Sequence, residues 1–184
     1  MLALRNSKPV AELDSLSRDV ESRLIAIPAL QNAKIISTYL HVGSEVRTSG
    51  IVDWALSRGK RIIVPVTNSG NLHLSFSELR IPAKELERGF RGIPEPKPEF
   101  RRPVRLEEAD VVLIPGVAWD KRGYRIGYGA GYYDRCINAL QSQPTKIGLA
   151  YEFQVVPVLP RTRFDRRVDT IVTDRRIIET IHAP

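Results

Sequence analysis

The stretch from Val111 to Leu140, VVLIPGVAWDKRGYRIGYGAGYYDRCINAL, constrains this chain more than any other. Val111 to Ile114 is an uninterrupted apolar run closed by Pro115-Gly116, the pattern of a fully buried strand that ends in a sharp turn. Gly127, Gly129 and Gly131 alternate, so the backbone there can take positive φ and lie against a ligand with no Cβ in the way. Tyr132 to Leu140 holds neither Gly nor Pro and sets Tyr133, Ile137 and Leu140 at helical spacing, which predicts a helix opened by the glycines. Arg125 adds positive charge, and Asp134 a carboxylate on the first helical turn. These parts outline a site for phosphate and magnesium. The glycine string alone leaves a structural Gly-rich turn open, because it has neither the dinucleotide fingerprint's spacing nor a P-loop's.

The rest of the chain alternates helices and strands. Leu13, Leu16, Val20, Leu24 and Ile27 form the stripe of an amphipathic helix over Ala11 to Ile27, which Pro28 should stop. Ile35 to Leu40 reads as a strand. Thr48 or Ser49 should cap a helix carrying Ile51, Val52, Ala55 and Leu56, ended by Gly59. Arg61 to Val66 follows as a strand, Asn68 to Asn71 as a turn and Leu72 to Phe76 as its hairpin partner. Arg80 to Pro103 is a proline-rich ordered connection, Lys146 to Ala150 a short strand, and Ile171 to Thr173 a last strand closing the sheet. The alternation predicts one α/β domain over residues 1–184, with helices on both faces of a largely parallel sheet, the hairpin excepted. Glu45, just past the strand ending at Leu40, then stands where open α/β sheets bind ligands.

Composition excludes several classes. With 42 % hydrophobic and 27 % charged residues, the 184-residue chain is globular rather than disordered. Its longest apolar stretch, Val111 to Trp119, is too short to span a bilayer and contains Pro and Gly, and no signal-peptide pattern opens the chain. A cytoplasmic protein is expected. The single cysteine, Cys136, excludes an internal disulfide and reads as a small core residue. His41, His73 and His182 are isolated, His73 on the exposed side of a strand, so no His/Cys metal set is expected. A net charge of +7 and the cluster Arg161, Arg163, Arg166 and Arg167 suit polyanionic small molecules, nucleic acid or a solvated basic surface, but no nucleic-acid motif accompanies them.

The string Pro115-Gly116, Trp119-Asp120, Gly123, Arg125-Ile126-Gly127 and on through Gly129, Gly131, Tyr132, Tyr133, Asp134 and Arg135 closely resembles the signature of the 5-formyltetrahydrofolate cyclo-ligase family, also called 5,10-methenyltetrahydrofolate synthetases. The resemblance extends to Ser44 through Thr48, Gly92 through Pro96, Leu159-Pro160, Phe164-Asp165 and Ile171 through Thr173. It implies a three-layer, Rossmann-like α/β/α fold. It also implies an ATP- and Mg2+-dependent closure of 5-formyltetrahydrofolate, polyglutamylated forms included, to the 5,10-methenyl product through a phosphorylated formyl intermediate.

By the same resemblance, Arg125 and the loop Gly127, Tyr128, Gly129, Ala130 and Gly131 hold the phosphates, and Tyr132 and Tyr133 wall the nucleotide from the folate. Leu40 and Glu45 contact the pterin end, with Tyr128 through Tyr132 beside them, and Asp134 with Asp165 holds magnesium. Asp169 is the alternative should the alignment slip, and Glu95 a residue that folds back towards the site. Arg5, after Leu4, is what remains of a Lys and Leu-Arg segment that contacts ATP phosphates in the family, whose usual N-terminal extension is here shortened or shifted. Ala130 stands where some members have Lys, so this loop offers no lysine to phosphate. A monomer or weak homodimer with no membrane or nucleic-acid partner is expected. The rivals are a nucleotide-dependent paralogue with another substrate and a non-catalytic RNA-binding descendant.

Overall fold

The computed structural model describes residues 1–67, 74–89, 92–129 and 131–180. The turn expected at Asn68 to Asn71, together with His73, Ala130 and His182, lies outside the described residues. The first half of the chain forms α1 (Leu2–Asn6), α2 (Val10–Ile25), α3 (Pro28–Asn32), β1 (Ile35–Ser37), α4 (Ser49–Ser57), β2 (Arg61–Thr67) and β3 (Leu74–Leu79). After α5 (Pro82–Glu85), β4 (Leu86–Arg88) and β5 (Pro94–Pro96) make a short ribbon. Then come β6 (Pro103–Val104), β7 (Val111–Ile114), β8 (Ala118–Asp120), β9 (Arg125–Ile126), α6 (Tyr132–Ala139), β10 (Thr145–Leu149), β11 (Val155–Val156), β12 (Thr170–Val172) and β13 (Ile177–Glu179).

The main sheet has eight strands in the order β13-β12-β10-β7-β1-β2-β3-β6. Strands β12, β10, β7, β1 and β2 run parallel, while β13, β3 and β6 add antiparallel edges. β1 pairs Ile36 with Ile62 of β2 on one side and with Val111 of β7 on the other. The chain therefore leaves β1 in one direction and later returns on its opposite side. That makes the carboxyl ends of β1 and β7 the topological switch point, where open α/β sheets form their ligand crevice.

Alternation along the strands sorts the core into two layers. Val111, Leu113, Ile36, Ile62 and Val64 pack with Leu13, Val20 and Leu24 of α2, Leu30 of α3 and Ile51, Val52 and Ala55 of α4. Val112, Ile114, Ile63 and Ile171 face the other way, onto Trp119 and the Tyr133, Cys136, Ile137 face of α6. Each fully buried aliphatic side chain contributes about 1.5–3 kcal/mol, so this alternation commits the strands to one register. Helices thus cover both faces, as the alternating pattern predicted, and Cys136 is a part-buried core residue.

Several boundaries differ from expectation. Pro28 does not stop the long helix; α2 ends at Ile25, where the Ala26 amide bonds back to Arg23 and the Ile27 amide to Leu24, and Pro28 opens α3 at a position where no donor is needed. β1 ends at Ser37 because the next residues turn to serve a loop: the Tyr39 carbonyl accepts from Thr48 Oγ1 at 2.8 Å, and the Tyr39 hydroxyl donates to Val46 O at 3.0 Å. Thr48 holds the N-cap position of α4, but its hydroxyl is committed to that bond and makes no cap hydrogen bond. Ile171 to Thr173 is not the last strand, since β13 pairs antiparallel outside it. A separate three-stranded sheet, β11-β8-β9, lifts the Trp119 to Ile126 segment off the main sheet.

Candidate active site

Asp120 builds that excursion. Its carboxylate is fully buried and accepts from the amides of Arg122 (3.0 Å), Tyr124 (3.2 Å) and Leu159 (3.1 Å) and from the Arg122 guanidinium. Beneath it, Trp119 lies so close to Gly116 and Gly148 that a Cβ on either would come within 2.6 or 2.4 Å of the indole. The turn between β8 and β9 therefore carries Arg125 and the glycine loop out over the switch point.

In the loop, Gly129 (φ 91°) and Gly131 (φ 63°) occupy the left-handed region, and Gly131 is the N-cap residue of α6. Gly127 does not adopt positive φ, so two of the alternating glycines are required by backbone geometry and one is not. Among the described residues of this loop, Gly127, Tyr128 and Gly129 are exposed. Tyr132 and Tyr133 open α6, with the Arg135 guanidinium over the Tyr132 ring at 5.5 Å.

Arg125 turns inward: its side chain is 4 % exposed, pairs with Asp134 Oδ2 at 3.1 Å, lies 6.0 Å over the Tyr133 ring and donates to Arg166 O at 3.3 Å. Burial disfavours its charge and holds its pKa below the ordinary value, an effect that Asp134 opposes only in part. Asp134 Oδ1 also accepts from the Arg166 amide at 3.1 Å, which draws the arginine-rich loop onto α6. Asp165 follows, its Oδ2 accepting from the Thr162 amide at 2.5 Å. Both carboxylates line one groove of about 620 Å³ together with Gly131, Arg135, Asn138 and Phe164. Asp169 does not reach it: its carboxylate is held by the Lys146 amide (2.8 Å) and ammonium (3.1 Å) near the start of β10.

On the other side of the switch point, Glu45 is 6 % exposed and accepts from the Val42 amide at 3.0 Å. Burial pushes its carboxyl above the ordinary range, while the Val42 bond, Arg5, Tyr128 and Arg47 hold it down. Leu40 lies one turn of chain away, lining a second cavity of about 170 Å³ with His41, Ser49, Val52, Asp53 and Pro94. Glu95 is buried and bonds the Thr67 amide at 3.1 Å, so it secures the end of β2. Arg5 is 1 % exposed and sits between Ser44, Gly116 and Tyr128. Tyr133 links the two halves, its ring beneath Arg125 and its hydroxyl pushed upward by burial and by the Glu45 charge, so it remains protonated.

Two buried tyrosines that fix the backbone at Glu45 and Val46 escaped the sequence reading. Tyr39 and Tyr151 are both buried: the Tyr151 hydroxyl donates to Glu45 O at 3.1 Å and lies 3.0 Å from Ser17 Oγ, while the Tyr39 hydroxyl donates to Val46 O. Each follows a parallel strand's carboxyl end, the position rule that had already singled out Glu45.

The fold and these clustered residues define an open α/β protein whose candidate site straddles the switch point of a parallel sheet. The family follows from comparison: residues 1–174 match the model of the 5-formyltetrahydrofolate cyclo-ligase family, and the chain belongs to that family of enzymes. It is 30 % identical to the 5-formyltetrahydrofolate cyclo-ligase of Escherichia coli strain K12 over 169 residues, covering 89 % of this chain and 91 % of the relative. A probable 5-formyltetrahydrofolate cyclo-ligase of Caenorhabditis elegans is 29 % identical over 170 residues, covering 86 % and 82 %. The NMR structure of Aquifex aeolicus 5,10-methenyltetrahydrofolate synthetase superposes with a TM-score of 0.84 at 32 % identity, covering all of this chain and 90 % of the other. The 5,10-methenyltetrahydrofolate synthetase of Mycoplasma pneumoniae does so at 0.75 and 25 %, covering 94 % and 93 %.

Proposed function

We propose that the chain converts 5-formyltetrahydrofolate to 5,10-methenyltetrahydrofolate with ATP and Mg2+, releasing ADP and phosphate. The observation that carries this reading is the placement of Asp134 and Asp165 on one groove beside Gly131, with Arg125 buried against Asp134 and Glu45 across Tyr133. Paired carboxylates with open surface around them fit Mg2+, a hard ion that takes few protein oxygens and completes its shell with phosphate and water. Bound there, the ion would neutralise phosphate charge.

The formyl oxygen on nitrogen 5 attacks the γ-phosphorus as the bond to the bridging oxygen of ADP breaks, giving a phosphorylated iminium species. Nitrogen 10 then adds to the activated carbon and loses its proton, and phosphate leaves with the former formyl oxygen. Little covalent work falls to the protein, so positioning and charge neutralisation dominate. Arg125 exchanges Asp134 for a phosphate oxygen, the loop from Gly127 to Gly131 lies against the phosphates, and Tyr132 and Tyr133 divide the nucleotide from the folate. Glu45 accepts from the pterin ring, and Leu40 supplies apolar contact.

The test is incubation with 5-formyltetrahydrofolate, ATP and Mg2+ while following the near-ultraviolet absorbance of the methenyl product. Expected is a rise that requires all three and is lost in a folded Asp134→Asn variant. Folded protein that binds ATP yet gives no rise would overturn the assignment.

A further inference from the structure

Between β1 and α4 the chain makes a loop that closes on itself around Glu45. The Val42 amide donates to Glu45 Oε2 at 3.0 Å, the Glu45 amide returns to Val42 O at 3.3 Å, and Gly43 turns the corner at φ 58°. Those bonds make the turn compact, but they do not set where Glu45 stands relative to the rest of the fold. Arg47 supplies that reference on the side of α2. Its backbone amide donates to Ser17 Oγ at 3.0 Å and its Nε to Asp14 Oδ1 at 2.9 Å, both on the helix. Its Nη1 donates back to the carbonyls of Gly43 and Glu45, the latter at 3.2 Å. One guanidinium thus spans the helix and the loop that carries the Glu45 carboxylate. Helix α2 is seated on the core through Leu13, Val20 and Leu24, which makes it a fixed support. Ser17 Oγ also lies 3.0 Å from the Tyr151 hydroxyl, which donates to Glu45 O at 3.1 Å, so a second tie reaches the same carbonyl from just past β10.

We propose that Arg47 is a positioning residue for the folate end of the site: held by Asp14, its planar fork fixes the backbone at Gly43 and Glu45, and with it the carboxylate that meets the pterin. Arg47 acts through Glu45 and not on the substrate. A lysine in its place would bring the same charge without the fork that keeps Asp14 on one corner and the loop carbonyls on another. Because the Asp14 side chain is 43 % exposed, the ion pair adds little to stability, and its part in holding Glu45 can be separated from any part in holding the fold. This deepens the folate reading above and rests on it.

Steady-state kinetics of Arg47→Lys, Asp14→Ala and the double variant, with each substrate varied in turn, test the assignment. Arg47→Lys is expected to raise KM for 5-formyltetrahydrofolate about tenfold, with kcat and KM for ATP within about twofold of wild type. Asp14→Ala should act in the same direction, and the double variant should be little worse than Arg47→Lys, because both changes break one contact. A merely structural role would lower the melting temperature and kcat and leave KM where it was. An unmoved KM for 5-formyltetrahydrofolate in Arg47→Lys, equal rises for both substrates, or fully additive losses in the double variant would overturn the assignment. Asp14→Ala decides the matter by the same comparison if Arg47→Lys does not fold. Wild-type protein with no turnover would sink the reaction reading by itself. The Arg47 assignment would then be judged by amide hydrogen exchange followed by NMR: Arg47→Lys should speed exchange at Val42 and Glu45 while the amides of β1 and β7 keep their protection, and unchanged exchange at Glu45 refutes it.

Discussion

Glu45 carries its charge where burial opposes it, and that opposition has a sign. Its folded pKa lies above the ordinary value, so the native state binds the proton more tightly than the unfolded chain does. Stability from this group is full below the ordinary carboxylate range and is lost as pH rises through the raised value. Glu45→Gln removes a buried charge while keeping an acceptor for the Val42 amide, and is expected to raise the melting temperature at pH 7 by a few degrees, roughly the effect of 1 kcal/mol in a chain of this length. Folate turnover should fall together with that gain, as measured by calorimetry beside the methenyl assay. Asp120 behaves oppositely. Burial raises its carboxyl, but Arg122 and the Leu159 and Tyr124 amides outweigh that and hold it below the usual range. Its contribution is present above the ordinary aspartate range and disappears as pH falls through the depressed value. Asp120→Asn should cost about 3 kcal/mol at neutral pH and flatten the acid limb of a urea-stability profile.

At the scale of elements, the contact between β10 and the β8 excursion decides where the site stands. Gly148 of β10 and Gly116 after β7 leave room for the Trp119 ring, and a Cβ at Gly148 would sit 2.4 Å from it. Gly148→Ala is expected to destabilise by about 1–3 kcal/mol in chemical denaturation and to lower turnover, because the indole underlies the turn that carries Arg125. The elements also show what could be read in advance. Buried β7, the amphipathic α2 and the glycine-opened α6 were legible because their periodicity reports burial directly. β8, β9 and β11 were not, since two or three residues carry no period and their pairing is made by Asp120 and by Val155 against Trp119, far apart in sequence.

For the molecule as a whole, the net charge of +7 and the arginines around the groove favour polyanionic substrates. Their attraction is screened, so KM for ATP should rise as ionic strength goes from low salt to several times physiological, while thermal stability changes little. Chelation of divalent ions should abolish turnover without unfolding the protein, and Asp165→Asn should require more Mg2+ for half-maximal rate. Among the described residues, no helix is long and apolar enough to cross a membrane.

Residue types and spacing alone determined the α/β class, the two-faced burial of the central strand, the glycine-opened helix and the family signature, because each is a local pattern tied to one physical cause. Tertiary structure alone decided that Arg5 lies buried against Tyr128, that Lys146 holds Asp169 away from the groove that Asp134 and Asp165 line, and that the Tyr151 hydroxyl reaches the Glu45 carbonyl. Those contacts join residues up to 123 positions apart. They exist because a crossover on each side of β1 brings the carboxyl ends of separate strands to one crevice, a geometry that no window of sequence contains.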